Sequence, residues 1–156
     1  MARFGPLPTL VAGLGVVIVA LLLMTRAGVG ASYFPGLFVP YALMGLGMGT
    51  AMLPLLTIAM SGVPKQDAGL ASGVINVSMQ LAGALGLAVL GTVASDRTQT
   101  LASSGVTNAA ALTGGYHLAF TLGAVALATG VALALVALRP PRTREAVHSP
   151  DLALEV

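Results

Sequence analysis

Cysteine is absent from this 156-residue chain and charge is scarce: seven Lys+Arg and five Asp+Glu make up 8% of the residues. Without cysteine there is no disulfide framework, no thiolate metal site and no cysteine nucleophile. The two histidines, His117 and His148, have no ligand motif around them, so neither a metal nor a cofactor is expected. An ordinary soluble domain is about a quarter charged, and the shortfall here excludes a soluble globular enzyme and a disordered chain. The isoelectric point near 9.5 reflects a net charge of only +2. That field is too thin to draw in a polyanion, so no nucleic-acid partner is expected. What remains is apolar: 56% of residues are hydrophobic, with 20 glycines besides, and mean hydropathy is +0.94. These proportions describe an integral membrane protein whose first partner is the lipid bilayer.

A helix needs about 20 apolar residues to cross a bilayer core about 30 Å thick. Four stretches qualify: Leu7 to Thr25, Phe34 to Met60, Ala68 to Ala94 and Tyr116 to Leu138. None alternates with the period of two that barrel strands show, and lipid leaves no open sheet edge satisfied. The expected fold is therefore all-α, a polytopic bundle of four transmembrane helices over residues 1–138. Residues 139–156 (RPPRTREAVHSPDLALEV) read as a disordered cytoplasmic tail. Between the helices lie a Gly/Ser connection over Ala27 to Tyr33, a polar turn Ser61 to Asp67, and a Ser/Thr/Ala-rich loop over Asp96 to Thr113. Asp67 is placed to cap the third helix by accepting from its first backbone N–H groups.

Basic residues set the orientation. With the N-terminus in the cytoplasm, Arg3, Lys65, Arg139, Arg142 and Arg144 lie inside and Arg26 and Arg97 outside. The positive-inside rule favours that arrangement, with both termini cytoplasmic in the cell membrane. Arg3 followed by an apolar run and the small residues GVGAS loosely fits a cleaved signal. The run exceeds a signal's usual apolar core, however, and Gly5-Pro6-Leu7-Pro8 suits such a leader poorly.

No Asp, Glu, Lys or Arg falls inside any of the four spans. Such a residue is the usual mark of a proton relay or ion path, and no nucleophile–base pair is visible either, which argues against an enzyme. The third helix carries the polar content. On one face lie Gly69, Ser72, Gly73, Asn76, Gln80, Gly83, Ala84 and Leu87; bulky Leu70, Val74, Val77, Leu81 and Leu85 gather on another. Gly69 and Gly73 are spaced for close helix packing, and Asn76 and Gln80 either hydrogen-bond across that seam or border a substrate pathway. The second helix sets Tyr41, Met44, Met48 and Met52 on one side, a flexible surface suited to apolar ligands and equally to core filling. Gly45 and Gly49 are spaced for packing, and Pro54 should bend the helix. The first and fourth helices carry no polar residues of note and read as lipid-facing scaffold, with His117 solvated at the outer end of the fourth.

The string Pro64 to Val93, PKQDAGLASGVINVSMQLAGALGLAVLGTV, resembles the penultimate helix of fourteen-helix drug/proton antiporters of the major facilitator superfamily, together with the turn before it. The match runs through Asp67 to Gly73, Asn76, Gln80 and Gly83 to Gly86. Arg3-Phe4-Gly5-Pro6 is similar to the end of the loop preceding that family's eleventh helix. Gly45 to Gly49 with Pro54 resembles the twelfth. Two positions depart from the pattern: Met79 and Leu7 stand where relatives commonly carry a cation.

The resemblance implies the last four helices of a multidrug efflux antiporter that works by proton-coupled alternating access when complete. By the same analogy the second helix lines the central cavity and the third sits near the interface between halves. Four helices cannot enclose such a site, so the chain alone is expected to be inactive: a truncated gene product, a product of a mis-assigned start, or one piece of a split transporter whose companion chain supplies the missing helices. The substrates of the complete transporter would be small hydrophobic or cationic compounds. The alternatives are a non-transporting packing or assembly fragment, and a self-sufficient dimeric four-helix transporter. The latter resembles proteins that carry a glutamate in their first helix, which Leu7 to Thr25 lacks.

Overall fold

A computed structural model of the chain describes residues 5–137. Arg3, the tail over 139–156 and His148 lie outside the described residues. Among those described there is no strand. Four α-helices account for nearly all of them: α1 (Pro6–Met24), α2 (Phe38–Ala59), α3 (Ala68–Ser103) and α4 (Asn108–Ala137). Each is long and apolar enough to cross a membrane.

Local chemistry explains where the helices start and stop. Gly5, at φ +69°, turns the chain into α1, and Pro6 opens the helix where its missing N–H costs nothing. The second helix begins later than the apolar run suggests. Phe34 precedes Pro35, which disfavours the helical region for the residue before it, and Phe34 is accordingly extended (φ −115°, ψ 128°). An irregular turn over Tyr33–Leu37 leads into α2. Asp67 stands at the start of α3 as expected, but makes no capping hydrogen bond. A single 3₁₀ turn, Lys65–Asp67, enters the helix there. It leaves Asp67 at φ −100°, ψ 1° rather than in the extended geometry a capping side chain needs.

The largest difference concerns the expected loop over Asp96 to Thr113. It is helical on both sides of a four-residue reversal, since α3 runs to Ser103 and α4 starts at Asn108. The hydroxyls that suggested a loop bond back to the helix instead: Thr98 donates to Ala94 O (2.8 Å), Thr100 to Asp96 O (2.8 Å) and Ser103 to Thr100 O (2.9 Å). The helix then closes through a Schellman turn. Gly105 N–H donates to Ala102 O and Val106 N–H to Leu101 O, both at 3.2 Å, with Gly105 at φ +87°.

In space the helices follow the order α2–α1–α4–α3: α1 packs on α2 and on α4, and α4 on α3, while α2 and α3 barely meet. Small residues mark the closest approaches. A Cβ on Gly13 would stand 2.9 Å from both Gly47 O and Ala51 N, and one on Gly47 would stand 2.7 Å from Gly13 O. Backbone therefore touches backbone between α1 and α2. Gly115 does the same for α4, where a Cβ would collide with Thr98 Oγ1 and the Ala94 carbonyl of α3. Gly123 lies between Leu90 of α3 and Leu21 of α1.

The buried residues follow this plan. Leu10, Gly13, Val17, Ala20 and Met24 form one stripe on α1, and Ala111, Gly115, Ala119 and Ala124 form another on α4. The helices that read as lipid-facing scaffold thus carry most of the internal packing, because small side chains are what let helices approach in lipid. No residue of α3 is buried.

The glycines divide into two groups that substitution should separate. Gly47→Leu forces α1 and α2 apart, an overpacking that costs about 1–3 kcal/mol, and should sharply lower the yield of monodisperse protein extracted in detergent. Gly73→Leu meets open space in this chain and should leave that yield unchanged. Equal yields for the two variants would refute the packing described.

Candidate functional site

At the Pro6 end of the bundle, the divergence of α2 from α3 leaves a hollow of about 430 Å³. Its walls are Met52, Leu56 and Met60 from α2 and its end, facing Ser72, Ile75, Asn76 and Met79 from α3. Three thioethers, one amide and one hydroxyl form its character: soft, deformable and largely apolar, with Asn76 and Ser72 able both to donate and to accept. No ionisable side chain lines it. Pro54, buried against α1, removes one backbone bond just above Met52.

A second hollow of about 440 Å³ lies at the opposite, Met24 end, between α1, α2 and α4. Tyr41, Tyr116, Phe120 and His117 line it together with Met24, Leu37 and Thr113. Tyr116 and Phe120, one turn apart on α4, stack with centroids 6.3 Å apart. His117 is half-buried, and its Nε2 lies 2.8 Å from the carbonyl oxygen of Ala27. The carbonyl can only accept, so Nε2 carries the hydrogen and donates. Every other side-chain hydrogen bond among the described residues reaches four positions or fewer along the chain. This one spans 90.

The residues singled out from sequence are therefore distributed rather than gathered. Asn76 and Met52 share the α2–α3 hollow, whereas Tyr41 belongs to the other. Met44, Met48 and Gln80 line neither of these hollows. The side chains of Asn76 and Gln80 make no hydrogen bond among the described residues, and both are exposed. Gly45, Gly49, Gly69, Gly73 and Gly83 have no described residue within 4 Å of where a Cβ would project.

Sequence reasoning passed over Met60 and treated Met79 only as a departure from a pattern. It set His117 aside as a solvated histidine, since a contact spanning 90 positions has no local signal. Among the described residues no cluster of His, Asp or Glu could hold a metal.

Four long apolar helices, with the charged residues among those described confined to the connections and the Ser103 end of α3, describe a polytopic helical membrane protein. No family model matches the chain, and no solved structure does. Curated proteins do. The chain is 39% identical over 102 residues to the puromycin resistance protein pur8 of Streptomyces alboniger, a match covering 65% of this chain and 20% of that one. It is 31% identical over 93 residues to the multidrug resistance protein Stp of Mycobacterium tuberculosis, covering 60% and 17%. It is 38% identical over 69 residues to the uncharacterized MFS-type transporter EfpA of the same organism, covering 44% and 13%. The chain is a homologue of drug and antibiotic exporters of the major facilitator type, and the matched stretch spans a fifth or less of the length of each of these relatives.

Because neither amide makes a side-chain hydrogen bond among the described residues and both are exposed, Asn76→Ala and Gln80→Ala should each alter stability by no more than about 0.5 kcal/mol. Thermal-shift midpoints of the purified chain in detergent check this. A clear drop for either variant would mean the amide already holds a helix here.

Proposed function

We propose that this chain is the C-terminal four-helix part of a multidrug efflux transporter, and that a companion supplies the remaining helices. Proton-coupled alternating access then belongs to the complete assembly, and the chain alone is inactive. The observation that carries this reading is α3: 36 residues long, packed on α4 alone, with no buried residue. Its face bears Gly69, Gly73 and Gly83, each with open space where a Cβ would project, and Asn76 and Gln80, both exposed. Unpaired amides are costly in lipid, and a second set of helices would satisfy them. In transporters built from repeats, the substrate lies between repeat-related halves. The α2–α3 hollow, with Asn76 among methionines, is half of such a site. Asn76 and Met52 contact substrate there, and Gln80 one turn further on lines the path. Met44 and Met48 extend the same wall of α2 toward Tyr41, which lies at the opposite, Met24 end, while the open glycines seat the companion.

The substrates are small hydrophobic or cationic compounds, in keeping with the soft uncharged wall and with relatives named for puromycin and multidrug resistance. The membrane is the cell membrane, with both termini cytoplasmic. No Asp, Glu, Lys or Arg falls within the stretches 7–25, 34–60, 68–94 or 116–138 to carry a proton, so coupling resides in the companion.

Reconstituted in liposomes under an imposed proton gradient, the purified chain should show no flux of puromycin or ethidium. Flux should appear when the missing helices are co-expressed or fused. In that assembly Gly73→Leu should reduce the folded amount, whereas Asn76→Ala and Gln80→Ala should keep it and change transport rate or substrate range. Gradient-dependent flux from the chain alone overturns the reading. Export unchanged by both amide substitutions removes them from the pathway.

Orientation has its own test in this cysteine-free chain. Single cysteines at Ser104 and Ser149, treated in intact cells with an impermeant thiol reagent, should label at position 104 and stay unlabelled at position 149. The reverse pattern contradicts cytoplasmic termini.

A further inference from the structure

The hollow at the Met24 end is separate from the α2–α3 cleft and has a different chemistry. Three helices of this chain form it, so it needs no companion to exist. Tyr41 comes from α2, Met24 from α1, and Tyr116, His117 and Phe120 from α4. Both tyrosines are more than half exposed, at 57% and 55%, so the aromatic walls can be reached from outside.

His117 decides the polar requirement. Its Nε2–H is committed to the Ala27 carbonyl, which leaves Nδ1 of the neutral ring as a lone-pair acceptor. Nδ1 has no hydrogen-bond partner among the described residues, and no buried side-chain nitrogen or oxygen there is left unpartnered. It follows that Nδ1 is accessible. No carboxylate, lysine or arginine lines the hollow, so the imidazole does not compete for an ion-pair partner. The volume, about 440 Å³, falls in the range of small-molecule sites.

We propose that this hollow is a second ligand site, taking a planar aromatic molecule that bears an N–H or O–H donor. The ring stacks on the Tyr116–Phe120 platform and against Tyr41, and the donor meets Nδ1 of His117. The hydrogen bond to Ala27 keeps the imidazole in the tautomer that accepts. His117 is thus a ligand contact positioned by the α1–α2 connection. This site goes beyond the transport reading and stands or falls independently of it.

Indole and 1-methylindole test the proposal directly, since they share a ring and differ in the donor. The full chain labelled with ¹³C at the methionine methyls reports where each one binds: Met24 lines this hollow, and Met52, Met60 and Met79 line the other. Titration in nanodiscs should shift the Met24 methyl signal saturably, with indole bound about fivefold more tightly than 1-methylindole, the worth of one hydrogen bond. In His117→Phe the two probes should bind equally. Tyr116→Leu should weaken both alike. Equal affinities in the unmodified chain overturn the proposal, as does a preference for indole that survives in His117→Phe. Unsaturable shifts at all methyls alike would signify partitioning into lipid, and shifts at Met52, Met60 and Met79 without Met24 would place the ring in the other hollow. Either result also overturns it. None of these outcomes bears on flux through the complete assembly, which decides the transport reading.

Discussion

Helices in lipid gain little by hiding apolar side chains from their surroundings, because the surroundings are equally apolar. They associate where backbones come close enough for dense dispersion contact, and that demands glycine or alanine. The bundle rests on this constraint. Gly13 against Gly47 seats α1 on α2, and Gly115 against Ala94 and Thr98 seats α4 on α3. The buried apolar residues are mostly alanine, at 20, 51, 111, 119 and 124, with Leu10, Val17 and Met24 of α1 beside them. Most of the other leucines and valines stay on the outside, as membrane helices allow.

The same constraint makes α3 informative. One stripe of it, Leu90, Ala94, Thr98 and Leu101, faces glycines of α4. The glycines and amides continue that same face toward the Ala68 end of the helix, where no described residue lies within 4 Å of a Cβ built on Gly69, Gly73 or Gly83. The packing face of α3 is thus covered over only part of its length. Homology spanning a fifth of pur8 supports, from an independent direction, the proposal that further helices cover the rest. The α2–α3 hollow is open along one side, and on the proposed reading a companion closes it into a site.

Much of the fold was legible in the sequence because long uncharged runs admit few alternatives to membrane helices. The lengths of α3 and α4 were not, since serines and threonines read as loop formers until their hydroxyls are seen bonding to the preceding turn. Nor could spacing identify the working glycines. Gly45/Gly49 and Gly69/Gly73 carry the familiar four-residue interval, but so does the pair that packs on Gly13, Gly47 with Ala51, and nothing in the spacing ranks one pair above another. The candidate site was half legible. Asn76 and Met52 converge, but the stripe from Tyr41 to Met52 is long enough to be divided between opposite ends of the bundle. His117 was hidden, because its partner is a backbone carbonyl that any residue type supplies.

The central claim is that the glycine–amide face of α3 is covered in the working protein while its leucine–valine face remains in lipid. Single cysteines at Gly83 and Leu85, labelled with a membrane-permeant maleimide, test it most directly. The chain alone should label at both positions, since both are open. With the missing helices supplied, labelling at position 83 should be lost and labelling at position 85 retained. Equal labelling of both positions in the complete assembly would contradict the account.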